Sequence, residues 1–388
     1  MGQTVISAPI VQTGQAYPYD PVKNPLGLKS WTQYWKTSTT NGNNINSYPT
    51  SRIIYANGIY AFVINSGFVF YSTDAKNWNT QYVGSANMYC LAYGNNTWVV
   101  AGYAGVLYTG TPGGTWTART SQFGASAYIY DVRWIPTVSL FIACGSPTSS
   151  GACAIASSPD GITWTNRFND VNSGAIYAAI DYDPSTTTIT LACGNATNNV
   201  YYSTNGTSWT GINPCNEANY TTQFLRGALN RFVAGRSSIL SSTTANITSV
   251  PWYSQSPAIY FQTPNNNSTW VGGVASSSNH IYEMQYDSVN NYYYQYAPQS
   301  YYSSALQNGV MELITYDAST VINTNFNNAT QYNAAFPIIK TETVPLTSLY
   351  NGGSRVPTNF GYGYANGVHI LAGNNMGTDL SFQIYTTA

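Results

Sequence analysis

Short apolar runs that end in small residues recur along the chain, each followed by a polar, turn-forming stretch. They read Tyr60-Ala61-Phe62-Val63-Ile64, Trp98-Val99-Val100-Ala101-Gly102, Phe141-Ile142-Ala143-Cys144-Gly145, Thr190-Leu191-Ala192-Cys193-Gly194, Phe232-Val233-Ala234-Gly235, Trp270-Val271-Gly272-Gly273 and Ile370-Leu371-Ala372-Gly373. A divergent copy at 310–314 brings the count to eight. Runs of this length, rich in β-branched and aromatic residues and bounded by turn formers, predict strands. No stretch keeps a 3.6-residue apolar period over a dozen residues, so almost no helix is expected. A small residue at one fixed strand position means that many backbones converge there, as they do near the axis of a propeller.

A second pattern is a turn that lands on tryptophan. Its copies are Ser72-Thr73-Asp74-Ala75-Lys76-Asn77-Trp78, Ser158-Pro159-Asp160-Gly161-Ile162-Thr163-Trp164 and Ser203-Thr204-Asn205-Gly206-Thr207-Ser208-Trp209, with a looser one ending at Trp116. Asp or Asn caps its own turn through the side chain, Gly supplies positive φ, and the Ser hydroxyl ties the turn. The tryptophans are 38 (78 to 116), 48 (116 to 164) and 45 (164 to 209) residues apart. Periods of this size with short, turn-punctuated strands predict four-stranded propeller blades. Eight blades are preferred. Seven is the second choice, because 258–340 fits the pattern least.

The C-terminal unit supplies only three strands, whereas 29–37 at the other end reads as an orphan outer strand. Trp31 precedes Trp78 by 47 residues, in register with the series. The expectation is that this N-terminal strand completes the last blade and removes the sheet's exposed edge. The chain then divides into an extended arm, 1–28, broken by Pro and Gly, and a propeller, 29–388.

The Ser-x-Asp-Gly-x-Thr-Trp motif at 158–164, echoed at 72–78 and 203–209, resembles the Asp-box of the sialidase-like, BNR-repeat propeller superfamily. The resemblance implies a structural hairpin on the blade rim and says little about activity. It also implies an arginine triad, a Tyr–Glu nucleophile pair and an Asp acid/base if the chain were a sialidase. Eight Arg and four Glu are present, with no local motif that selects such a set. Arg52, Arg133 and Arg226 do recur on innermost strands, where guanidinium groups could hold a carboxylate or phosphate. The alternative is that they pair with Asp131 or are solvated. Asp181 and Asp183 are close enough in sequence to suggest a glycosidase pair, but capping the turn they enter explains them better. Neither histidine adjoins a nucleophile motif, and no phosphate-cradling loop precedes a helix. The expectation is that the chain is not an enzyme.

Composition changes the picture mainly by what it removes. Charged residues are 7% of the chain and the net charge is −1, so bulk attraction to nucleic acid or anionic membrane is not indicated. No window reaches the apolar length of a membrane span, and no secretory signal is visible at the N-terminus. Five cysteines are not a disulfide framework; one bridge, Cys144 to Cys153 across a hairpin, stays open. With two histidines and no metal-ligand spacing, neither metal nor cofactor is expected. The tyrosine-rich stretch that includes Tyr292, Tyr293, Tyr294 and Tyr296 suits sugar recognition, a ring face stacking on a pyranose; alternatively these rings fill a blade interface. Axial loops at 41–46 and 265–267 are polar enough to vary freely.

Few charges, abundant Asn, Thr, Ser, Tyr and Gly, and a displayed propeller are similar in style to bacteriophage tail or virion-surface proteins. The leading expectation is a non-enzymatic virion structural protein that contacts host glycans, tethered to other virion proteins by its arm. A free lectin-like propeller and a sialidase-like glycoside hydrolase are the alternatives.

Overall fold

The computed structural model describes residues 4–6, 31–36, 51–147, 153–170, 178–184, 187–193, 200–212, 224–228, 231–235, 239–243, 253–255, 261–262, 270–271, 283–298, 311–317, 338–344, 360–374 and 382–388. The described elements are all strands, and they form a propeller. Blade 1 runs outward as Ile54–Ala56, Ile59–Val63, Phe68–Ser72 and Asn79–Tyr82, each antiparallel to the next. Blades 2 to 5 repeat this order from innermost strands Met88–Gly94, Tyr128–Ile135, Ala178–Asp183 and Phe224–Ala228. Blade 6 consists of Glu283–Asp287, Tyr292–Pro298, Met311–Asp317 and Ile338–Val344.

The sequence pattern predicts eight blades, or seven; among the described residues the structure instead has six four-stranded ones. Two of the apolar runs do not build units of their own. The described part of the run at 270–273, Trp270–Val271, pairs with Phe261–Gln262 in a two-stranded piece. The run at 310–314 enters Met311–Asp317, the third strand of blade 6 rather than a second strand. A run ending in small residues therefore marks a strand, not a blade.

The two ends of the chain meet in a separate, five-stranded sheet. Phe360–Ala365, Val368–Asn374 and Phe382–Thr386 are joined by Trp31–Lys36, and Thr4–Ile6 adds the outer edge. The rest of the 1–28 arm, the loops at 41–46 and 265–267 and the Trp31 side chain lie outside the described residues.

Blade faces are apolar on both sides, which is why the second strands read as unbroken hydrophobic runs. Trp98 and Val100 pack toward blade 1 with Val63, Val69 and Leu91. Their neighbours Val99 and Ala101 pack toward blade 3 with Ile129, Phe141 and Trp164. Between the closing sheet and blade 1, Ile370, Ala372, Phe382 and Ile384 meet Phe62, Phe70 and Trp78. The Gly that ends these runs answers a close approach: a Cβ on Gly102 would lie 2.0 Å from the Asn87 carbonyl oxygen, and one on Gly145 2.0 Å from that of Tyr128.

The tryptophan turns share one hydrogen-bond pattern. Asp160 Oδ1 accepts from Ser158 Oγ at 2.9 Å and from the Ile162 and Thr163 amides, both at 2.8 Å. Asp74 and Asn205 do the same in their own turns. The indoles of Trp78 and Trp164 close their turns by donating to the Ala75 and Gly161 carbonyls. Trp116 in the looser copy instead donates to Gln81 Oε1 of blade 1, which also takes the Gly113 amide.

Cys90, Cys144 and Cys153 are buried and form no disulfide. Cys144 faces Ile155 and Cys153 faces Asp170 in the ladder, so no bridge joins Cys144 to Cys153. Burial, and then the charge of Asp131, push the thiols of Cys90 and Cys144 well above their usual value, which leaves them poor nucleophiles.

Candidate functional site

Two groups of polar and aromatic side chains gather where the innermost strands begin. The first crosses the axis. Arg52, just before the first strand of blade 1, reaches Asp131 Oδ2 of blade 3 with Nη2 at 3.0 Å and Asp181 Oδ2 of blade 4 with Nη1 at 3.4 Å. Its Nη2 also donates to the Ile180 carbonyl at 2.8 Å. Arg133 Nε donates to the same carbonyl at 3.3 Å, and its Nη2 lies 3.8 Å from Asp181. Asp131 is further held by the amides of Ile180 and Val132.

Two of the three arginines singled out in sequence thus meet in one network, and their charges are matched by two carboxylates. Asp181, read from sequence as a turn cap, belongs to this network instead. Arg226 stands opposite Val233 on the innermost strand of blade 5; its side chain lies outside the described residues. The network neutralises its own charge, two guanidinium groups against two carboxylates. Neither carboxylate is left to act as acid or nucleophile without giving up an arginine.

The second group is aromatic. Tyr89 of blade 2 and Tyr128 and Tyr130 of blade 3 have ring centroids 6.3, 5.9 and 5.7 Å apart, with interplanar angles of 12°, 28° and 17°. A column of three rings would make one separation about twice the others. Near-equal separations with near-parallel planes exclude a column and describe a triangular cluster of three rings, here called the tile. All three rings are half-buried. Tyr103, 41% exposed, tilts against Tyr128 at 4.8 Å, and its backbone bridges that of Tyr128. Sequence reasoning passed over these four. The usable signal was Tyr128-Ile129-Tyr130 on an innermost strand, where buried Ile129 separates two half-buried tyrosines, the second at a bulge.

The tyrosines chosen from sequence are placed differently. Tyr292–Pro298 is the second strand of blade 6, so Tyr293 and Tyr294 are core residues, 0% and 1% exposed. Tyr292 is half-buried, and Tyr296 is described only by its register opposite Glu283 and Leu313. Tyr294 joins a seam between blade 6 and the closing sheet. Its hydroxyl and that of Tyr364 donate to Asp287 Oδ2 at 3.2 and 2.8 Å. The rings of both pack on buried His369, whose Nδ1 shares a 2.7 Å hydrogen bond with Tyr362 Oη. Among the described residues no cluster of His, Cys, Asp and Glu could hold a metal, and no helix is long and apolar enough to cross a membrane.

No family model matches the chain, and no curated protein matches it. Among solved structures it is similar to the WD40 β-propeller domain of Doa1, at 10% identity and a TM-score of 0.54, over 92% of this chain and 97% of that one. It is also similar to the Cps50 (Swd1) β-propeller domain of Myceliophteria thermophila, at 11% identity and a TM-score of 0.50, over 87% and 96% of the two chains. An ancestral GH74 enzyme matches at 16% identity and a TM-score of 0.51, over 87% of this chain and 46% of the enzyme. At these identities the likeness is one of fold, and the fold is the β-propeller.

Proposed function

We propose that the chain is a non-enzymatic recognition propeller of the Asp-box type, carried on a virion surface, and that its tyrosine tile contacts host glycans. The observation that carries this reading is the tile itself. Clustered, near-parallel aromatic rings suit the apolar face of a pyranose, while the phenol hydroxyls and nearby backbone serve its hydroxyls. The occupied axial carboxylates favour binding over catalysis. The regular Ser–Asp or Ser–Asn turns fit an Asp-box scaffold, and the sparsely charged, Asn- and Tyr-rich composition fits the virion setting. In that setting the 1–28 arm would tether the propeller to other virion proteins.

The test is binding of the purified chain to a glycan array, followed by calorimetry on the best ligand. Replacing Tyr103 or Tyr128 with alanine is expected to weaken binding at least tenfold while leaving the melting temperature within a few degrees. Unchanged affinity in both variants would remove the tile from the reading. Mass spectrometry of purified particles tests the setting separately.

A further inference from the structure

At the turn that follows Tyr103 lies a groove of about 350 Å³ lined by Ala104, Gly105, Leu107, Arg119, Ser121 and Gly124 among others. One wall is the turn that follows Tyr103, the other the segment leaving the outer strand of blade 2. The walls are tied together. The Gly105 amide donates to the Ala127 carbonyl at 3.0 Å, and Ser121 Oγ donates to the Gly105 carbonyl. A Cβ on Gly105 would lie 2.2 Å from the Gly124 carbonyl oxygen, so the backbones touch. The groove is built from hydrogen-bonded backbone, and its wall begins at Ala104, the residue after Tyr103.

Arg119 ends the outer strand Thr117–Arg119, opposite Leu107. Its Nε donates to the hydroxyl of buried Thr109 at 2.8 Å, which fixes the plane of the guanidinium. Among the described residues no carboxylate pairs with it, in contrast to Arg52 and Arg133. Both Nη groups are then left for a bidentate contact with a planar or tetrahedral anion. Arg167 of blade 3 has the same anchor, Nε to Ser157 Oγ at 2.7 Å. The anchor is therefore a feature of the repeat, and what sets Arg119 apart is the groove it lines.

We infer that this groove is a second subsite, in which Arg119 holds an anionic substituent, carboxylate or sulfate, on the glycan whose neighbouring ring rests on the tile. The inference depends on the glycan reading above and adds the charge of the ligand. With a net charge of −1 the chain offers no general attraction for anions, so a preference for acidic glycans must arise locally.

The experiment is an array that prints neutral tetrasaccharides beside their uronate-bearing and sulfated counterparts, read with the full chain and with Arg119→Gln, Arg119→Lys, Arg167→Gln and Tyr103→Ala. The expected result is at least a tenfold preference for one acidic series. That preference should vanish in Arg119→Gln, fall partway in Arg119→Lys and persist in Arg167→Gln. The series preferred distinguishes carboxylate from sulfate. Equal binding of neutral and acidic members, or a preference that survives Arg119→Gln, overturns the subsite and leaves the tile reading standing. No binding to any printed glycan overturns both.

Discussion

Arg52 Nη2 lies 3.0 Å from Asp131 Oδ2, although the two residues belong to blades on different sides of the axis. Their side chains are only 10% and 12% exposed. A guanidinium that reaches blades 3 and 4 from blade 1 ties the ring across its centre, where no strand pairing is available. Removing it would leave Asp131 and Asp181 largely buried without their main counter-charge. Breaking a buried pair in this way costs about 3–5 kcal/mol. Arg52→Leu is therefore expected to lower stability by about that amount in urea denaturation, and a loss below about 1 kcal/mol would mean that the network is incidental. The variant with Arg52→Leu and Asp131→Asn together should recover part of the loss, because Asp181 keeps Arg133 as its partner and no unpaired charge remains in the network.

The tryptophan turns contain their own control. Asn205 makes the bonds in its turn that Asp160 makes in the preceding one, with one oxygen accepting from a serine hydroxyl and two amides. Asp160→Asn should thus keep the turn at neutral pH, whereas Asp160→Ala should cost about 1 kcal/mol, as loss of a side-chain cap does. Burial alone would raise the Asp160 carboxyl, but the bonds it accepts outweigh that and hold it below the usual carboxylate range. A depressed folded value contributes stability above the unfolded value, about 3.9, and that stability fades as pH falls through the folded value. Denaturation midpoints followed from pH 6 to pH 2 should therefore fall less steeply for Asp160→Asn than for the parent. Parallel curves would count against the assignment.

Gly161 has a φ of 75°, and a Cβ there would lie 2.8 Å from Val99 Cγ2. The turn thus meets the core of the adjoining blade without room for a methyl group. Gly161→Ala is expected to cost about 1–3 kcal/mol through overpacking and left-handed backbone together. Adding Val99→Ala should return only the steric part. If the double variant is no better than the sum of the singles, the contact is not the cause. Ala75 holds the same turn position in blade 1 at a φ of 57°, with its methyl buried beside Trp78. That copy shows that the position tolerates a side chain where the facing blade leaves space.

Much of the fold was legible because the repeat rests on local chemistry. Ser158, Asp160, Gly161 and Trp164 each satisfy a need of a single turn, and such needs leave marks at fixed spacing. Trp31 stood in register with the turn tryptophans, and Trp31–Lys36 pairs with Phe382–Thr386. Blade number was not legible, because it depends on which strands pair, and Val310-Met311 reads alike as a second or a third strand. The site was half legible. Arg52 and Arg133 were recognisable from their strand position, but their partner Asp181 looked like a turn residue. The aromatic tile depends on Tyr89 meeting Tyr128 across two blades, a contact without local signature. Tyr293 and Tyr294 misled for the opposite reason: a dense aromatic stretch looks like a binding surface until its strand is known to be internal.

The seam that joins blade 6 to the closing sheet supplies the last prediction. Asp287 is 2% exposed, and burial alone would raise its carboxyl. Hydrogen bonds from Asn290 and Tyr364, and the amides of Val289 and Asn290, outweigh this and hold it below the ordinary value. Burial, then Asp287 itself, pushes the Tyr364 phenol well above its usual value. The two shifts have opposite consequences. The lowered Asp287 value contributes stability above an unfolded value of about 3.9, lost as acid protonates the folded carboxylate. The raised Tyr364 value contributes stability below an unfolded value of about 10, lost as alkali ionises the folded phenol. Tyr364→Phe removes a bond to a charged acceptor and should cost about 1.5–3 kcal/mol at pH 7. That difference should shrink as acid protonates Asp287, and again above pH 10, where the parent alone carries the Tyr364 penalty. Guanidinium denaturation of both proteins across this range would reveal it. A difference constant with pH would mean that Tyr364 stabilises the seam by packing on His369 rather than through Asp287.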